Sequence, residues 1–310
     1  MRNERAWIKR ILFATDFSLC AHHAEEHAAF LSKAYGATVD VVHVLELYPG
    51  VYAAVQDHWE TDGRLHEAVR RLQLPAIPVT GHQLIGTPSV QICEAAMKYH
   101  ADLIVLGTHG RTGLDHVLLG STAERVLTLA PCPVLTVRVP KGPDVRQHNA
   151  RIKFEQVVVP VDFSDCSLDS LEYGAQIAKD FGASLTLLHV LEPVAYGDDR
   201  TLAQQAKQDR LKEGIDSQLK PYVSAIQSAG VSVREVIRGG VPSDTIVECV
   251  RDSDCDLIVM GTHGRRGISH VMRGSVAEAV LRRASCPVFA VRNAHFAPDH
   301  QWVVPMEAKP

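Results

Sequence analysis

Val105-Leu106-Gly107-Thr108-His109-Gly110, followed after nine residues by Gly120-Ser121-Thr122, decides how this chain is read, because it returns as Val259-Met260-Gly261-Thr262-His263-Gly264 and, after nine more, Gly274-Ser275-Val276. Each copy passes from an apolar strand into glycines and then into the start of a helix. A polyphosphate needs that order: backbone N–H groups must come close to it, and a helix N-terminus adds open donors and a favourable dipole. Gly107, Gly110, Gly261 and Gly264 are therefore expected to allow close approach and positive φ angles. The hydroxyls that open the next helices either cap them or donate to a phosphate oxygen. One glycine loop alone is as easily a simple turn; two copies in the same strand-to-helix context speak against that. Neither a Walker A sequence nor G-x-G-x-x-G occurs, so the P-loop and Rossmann dehydrogenase readings lose their signatures.

Other landmarks repeat as well. Asp16 and His43 return 146 residues later as Asp162 and His189, whereas Gly86, Asp102 and Cys132 return 154 later as Gly240, Asp256 and Cys286. The second half thus carries extra residues between His189 and Gly240, and each half is large enough to bury its own core. The expected division is a first domain at 1–139, a polar linker at 140–151, a second domain at 152–293 and a tail at 294–310.

Within each half, strands and helices alternate. Ile11 to Ala14 and Val157 to Val161 are near-continuous apolar runs, the habit of strands covered on both faces in parallel sheets. Ser18 and Ser164 can cap the helices that follow, and Gly36 and Gly182 can close them. Strands at 38–44 and 184–190, long polar helices at 51–74 and 194–230, helices opened near Pro88 and Pro242, and strands at 102–106 and 256–260 complete the pattern. In a flavodoxin-like order 3-2-1-4-5, Asp16 and Asp162 end strands beside those carrying the glycine loops. Ligands of open α/β sheets bind in that crevice, beyond the carboxyl ends of the strands.

Composition sets further bounds. The 310 residues are 46% hydrophobic and 22% charged, with net charge -4, which suits a soluble globular protein. No basic stripe favours nucleic acid, no apolar run reaches a membrane span, and the first residues lack a signal-peptide core, so a cytoplasmic location is expected. Seven cysteines without a C-x-x-C pair read as buried structural thiols. His109 and His263 lack the partners of a recognisable zinc site, and His43 and His189 read as core or crevice histidines.

The chain resembles a tandem universal stress protein. The resemblance rests on Ala14-Thr15-Asp16-Phe17-Ser18 and Pro160-Val161-Asp162-Phe163-Ser164, on the G-2x-G-9x-G-[ST] loops, and on the closing strands Cys132 to Val137 and Cys286 to Val291. It implies two flavodoxin-like domains of the adenine-nucleotide α-hydrolase-like class, each a five-stranded parallel sheet with helices on both faces. It also implies ATP binding, with Mg²⁺ reached through the phosphates, and a role in stress response. Adenine and ribose contacts would come from Ala14, Thr15, Asp16 and Val44, and from Pro160, Val161, Asp162 and Val190. Phosphate contacts would come from Gly107, Gly110, Arg111, Gly120, Ser121 and Thr122, and from Gly261, Gly264, Arg265, Gly274, Ser275 and Val276. Members pair their last strands antiparallel, so an intrachain pseudo-dimer is expected, with homodimerisation and a protein partner open. With no clear catalytic base besides the aspartates, a nucleotide-dependent sensor is favoured over a slow ATPase or a nucleotide-independent chaperone or scaffold. The first nine-residue spacer holds Arg111 and Asp115 and the second holds Arg265, Arg266 and Arg273, which favours polyphosphate at the second site.

Overall fold

The computed structural model describes residues 7–46, 54–73, 77–109, 119–139, 152–192, 202–264, 274–292, 296 and 300–304, with backbone alone at 54–60 and 202–208. The chain forms two compact units, Met1–Ile152 with Cys286–His300, and Lys153–Ser285 with Gln301–Pro310.

The first unit runs β1 (Arg10–Ala14), α1 (Leu19–Tyr35), β2 (Thr38–Leu45), α2 (Ala54–Leu72), β3 (Val79–Ile85), α3 (Pro88–Lys98), β4 (Leu103–Gly107), α4 (Ser121–Leu129) and β5 (Val134–Val137). The strands stand in the order β3-β2-β1-β4-β5, all parallel. Helix α1 packs with α2, and α3 with α4, as crossovers running first one way and then the other across a sheet require. Ile11, Leu12 and Phe13 are fully buried, as are Leu103, Ile104 and Val105, so both faces of the central strands are covered and continuous apolar runs are needed there.

The second unit repeats the plan with β6 (Gln156–Pro160), α5 (Asp165–Phe181), β7 (Ser184–Leu191), α6 (Leu202–Ser228), β8 (Val233–Gly239), α7 (Pro242–Asp252), β9 (Leu257–Gly261) and α8 (Ser275–Arg283). Its strands order as β9-β6-β7-β8, again parallel. The last strand of the second repeat, β10 (Val288–Val291), is grouped with the first unit, where it pairs antiparallel with β5.

Local chemistry accounts for the helix ends. Ser18 and Ser164 accept at Oγ from the N–H groups of Ala21 and Ser167, and Gly36 and Gly182 close α1 and α5 at φ +68° and +66°. Pro88 and Pro242 open α3 and α7 in the first helical turn. Six of the seven cysteines are buried and no disulfide joins them. Burial pushes the Cys132 thiol up to about 12 and that of Cys93 up to about 11, as inert structural thiols require.

Gln301–Pro310 belong to the second unit. Val303 and Val304 are buried, and their N–H groups donate to Glu172 of α5 at 3.0 and 2.7 Å.

Candidate functional site

In each unit the turn after the first strand lies at the carboxyl edge of the sheet. Ala14 and Pro160 are the last residues of β1 and β6, and Thr15 and Val161 extend the ladder by donating to the carbonyls of Val42 and Leu188. Asp16 and Asp162 come next and are half-buried. Each carboxylate accepts at Oδ1 from the N–H two residues on, Ser18 or Ser164, at 3.0 Å. The residue between, Phe17 or Phe163, is left-handed, at φ +61° and +63°. Phenylalanine rarely adopts that conformation, and its recurrence in both repeats marks a turn imposed by its surroundings.

Those surroundings are shared. The Phe17 ring packs on His43 at 4.5 Å between centroids, and Phe163 on His189 at 5.1 Å. Nδ1 of His43 lies 2.7 Å from the carbonyl oxygen of Thr15, and that of His189 2.7 Å from that of Val161, so each imidazole donates to the turn it supports. Both histidines are buried, as expected, and each works as a brace. Val44 and Val190 are half-buried toward the ends of β2 and β7.

The glycine loops begin where β4 and β9 end, beside β1 and β6 respectively. In the second unit they meet the acid, since a Cβ on Gly264 would lie 2.6 Å from Oδ2 of Asp162. In the first, Ser18 Oγ donates to the carbonyl of His109 at 3.3 Å. Acid turn and glycine loop therefore converge in both units. Gly110, Arg111 and Arg265 lie outside the described residues.

One expectation about the glycines needs correction, and two of them have a further role. Gly107, Gly261 and Gly264 do not have positive φ. A Cβ on Gly107 would meet the backbone carbon of Cys20 at 2.9 Å, and one on Gly261 would meet Cys166 Sγ at 2.8 Å. These two glycines let the first helix of each unit lie against the end of the fourth strand, which is a packing requirement. Gly120 and Gly274 are needed for a different approach, as a Cβ there would come within 3.0 and 3.3 Å of the carbonyl oxygens of Thr108 and Thr262.

Gly120 and Gly274 are also the N-caps of α4 and α8, and among the described residues neither helix has a side-chain cap. Of the two roles left open for the hydroxyls, capping is thus not taken. Ser121 and Ser275 are exposed in the first turn, and Thr122 and Val276 beside them are half-buried. The first-turn N–H groups point out of the helix with no side chain of their own to receive them, a donor set suited to phosphate oxygens. Among the described residues no cluster of three His, Cys, Asp or Glu could hold a metal ion. No described helix is long and apolar enough to cross a membrane.

The sequence model of the universal stress protein family matches residues 8–138 and 153–292. The chain belongs to the universal stress protein family. A universal stress protein of Mycolicibacterium smegmatis is 30% identical over 91% of this chain and 96% of its own length. One from Methanocaldococcus jannaschii is 37% identical over 46% of this chain and 88% of its own. Among solved structures, a universal stress protein from Archaeoglobus fulgidus superposes over 94% of this chain and 97% of its own with a TM-score of 0.67 at 24% identity, a likeness of fold. A universal stress protein solved in complex with cAMP matches 46% of this chain and 99% of its own, at 30% identity and a TM-score of 0.37. The tandem arrangement and the stress-response family thus stand as the resemblance implied.

Proposed function

We propose that each unit binds an adenine nucleotide, ATP with Mg²⁺ held through its phosphates, and that occupancy makes this universal stress protein a sensor read by another protein. The observation that carries this is the convergence, in both repeats, of an uncapped helix N-terminus with an aspartate at the end of the neighbouring strand. Gly120, Ser121 and Thr122, with Gly107 and Gly110 before them, and Gly274, Ser275 and Val276, with Gly261 and Gly264, take the phosphates. Arg111 and Arg265 add charge. Asp16 and Asp162 cannot favour phosphate and turn their remaining acceptor capacity toward ribose hydroxyls, while Ala14, Thr15, Val44 and Pro160, Val161, Val190 flank the base. Each aspartate already holds a backbone N–H of its own turn, which suits binding better than proton transfer. Three arginines against a balanced Arg111 and Asp115 make the second site the tighter one.

Native mass spectrometry of protein purified without added nucleotide, followed by calorimetric titration with ATP, ADP and cAMP, tests this. One or two ATP per chain are expected, with Asp16→Ala and Asp162→Ala each removing one. ADP accumulating at substoichiometric protein would turn the reading toward a slow ATPase. A chain that carries no nucleotide and binds none would overturn it in favour of a scaffold.

A further inference from the structure

The two acid turns share a strained phenylalanine and a histidine brace, but they are clamped from outside in different ways. In the second unit the clamp is local: Ser164 Oγ donates to Asp162 Oδ1 at 2.6 Å. In the first unit the equivalent hydroxyl of Ser18 is turned to the carbonyl of His109 instead. A distant side chain reaches that turn. Arg64, on α2, donates from Nη2 to the carbonyl of Phe17 at 3.0 Å, and its guanidinium carbon lies 4.6 Å from the centre of the Phe17 ring.

The second repeat differs at the corresponding place on its helix. The buried row Leu65, Ala68 and Leu72 of α2 corresponds to Leu219, Tyr222 and Ile226 of α6. That alignment places Gln218 where Arg64 stands, and glutamine carries neither the charge nor the planar fork that stacks on an aromatic face.

We infer that Arg64 is a positioning residue for the first site. It acts through Phe17: the guanidinium holds both the carbonyl and the ring of a left-handed residue, and so keeps Asp16, one residue earlier, aimed at the ligand. A left-handed phenylalanine is strained and persists only where neighbours over-determine it. Here the neighbours are His43 on one side and Arg64 on the other. The first site is thereby tied to helix α2, so that any event that moves α2 changes the affinity of that site and leaves the second unaltered. This inference rests on the nucleotide reading for its consequence, but not for its geometry.

Two measurements separate them. In a chain whose second site is disabled by Asp162→Ala, Arg64→Gln should weaken ATP binding about three- to tenfold, whereas Arg64→Lys, which keeps a charged donor over the ring, should stay nearer the parent. In a chain disabled by Asp16→Ala, Arg64→Gln should not change binding at the second site. Without any nucleotide, amide hydrogen exchange at Ser18, whose N–H is held by Asp16, should speed up in Arg64→Gln relative to Ser164 in the same molecule. Unchanged exchange at Ser18 overturns the inference whether or not the protein binds ATP. So does equal loss of affinity in the glutamine and lysine variants, which would make Arg64 a structural residue of α2. Faster exchange at Ser18 in a protein that binds no nucleotide would uphold the clamp and remove the nucleotide reading alone.

Discussion

Helices α1 and α5 occupy the same place in their repeats and begin and end alike, with a serine cap and a left-handed glycine, yet they are covered differently. In α5 every residue from Ser167 to Ala175 is buried, whereas α1 leaves His22 exposed and Glu26 with 39% of its side chain open. The equivalent of Glu26 is Glu172, which is 0% exposed. Glu26 reaches from a partly open position to the buried His23 at 3.3 Å; Glu172 grips the backbone of the tail, 131 and 132 residues away. The difference teaches that a duplicated helix takes its solvent exposure from what lies outside the repeat. A carboxylate in the same place is a marginal surface group in one unit and a buried anchor in the other.

The comparison breaks most visibly at the tail. Truncation after His300 leaves the Glu172 carboxylate in its pocket without the N–H groups of Val303 and Val304. It should lower unfolding stability by about 3 kcal/mol in urea denaturation. Glu172→Gln in the truncated chain should recover part of that, and Glu26→Gln in the full chain should change stability by less than about 0.5 kcal/mol. A truncation no costlier than Glu26→Gln would show that the tail does not hold α5.

A smaller effect sharpens the comparison where the two units agree. Gly107→Ala and Gly261→Ala should each destabilise by about 1–3 kcal/mol with no nucleotide present, because the added Cβ has backbone or sulfur in its way in both. Thermal unfolding of the nucleotide-free variants measures it. A loss of nucleotide affinity at unchanged stability would show that these glycines serve the phosphate alone and not the packing.

The smallest effect concerns acid. Burial holds the His27 imidazole of α1 below its ordinary 6.5, against the opposing pull of the His23 carbonyl and the Glu26 carboxylate, while another histidine charge at His23 adds to the lowering. Because the unfolded chain takes up that proton more readily, the contribution of His27 is complete above 6.5. It is lost as pH falls through 6.5 toward the folded value. The equivalent residue of α5 is Tyr173, buried and without a charge change in that range. His27→Tyr should therefore flatten the stability profile between neutral and mildly acidic pH, and a variant as acid-sensitive as the parent would assign the slope to other groups.

Much of this was open to reading in the residues. The order 3-2-1-4-5 in the first unit, the serine caps, the left-handed glycines at 36 and 182, and the prolines that open α3 and α7 all follow from short-range chemistry, and each appears where it was expected. The acid turns were legible as candidate sites but not as shapes. Nothing in Asp-Phe-Ser announces a left-handed phenylalanine, since that residue disfavours the conformation and contacts made only on folding, His43 or His189 from the next strand among them, make it tenable. The packing role of Gly107 and Gly261 was hidden for a related reason. A glycine after a strand looks the same whether the missing side chain makes room for a ligand or for the backbone of a helix 87 or 95 positions upstream.

What the sequence by itself determined is the duplication, the alternation of strand and helix, and the placement of an acid and a glycine loop in each half. These depend on spacings of a few residues and on a pattern that repeats in register. What only the tertiary structure decided is which groups close on those sites and helices: Arg64 on the Phe17 turn, Cys20 and Cys166 against the glycines, and Val303 and Val304 on Glu172. Those contacts join residues from 47 to 132 positions apart. No local periodicity encodes such pairs, because they arise when independently specified elements pack and every buried polar group must find a partner.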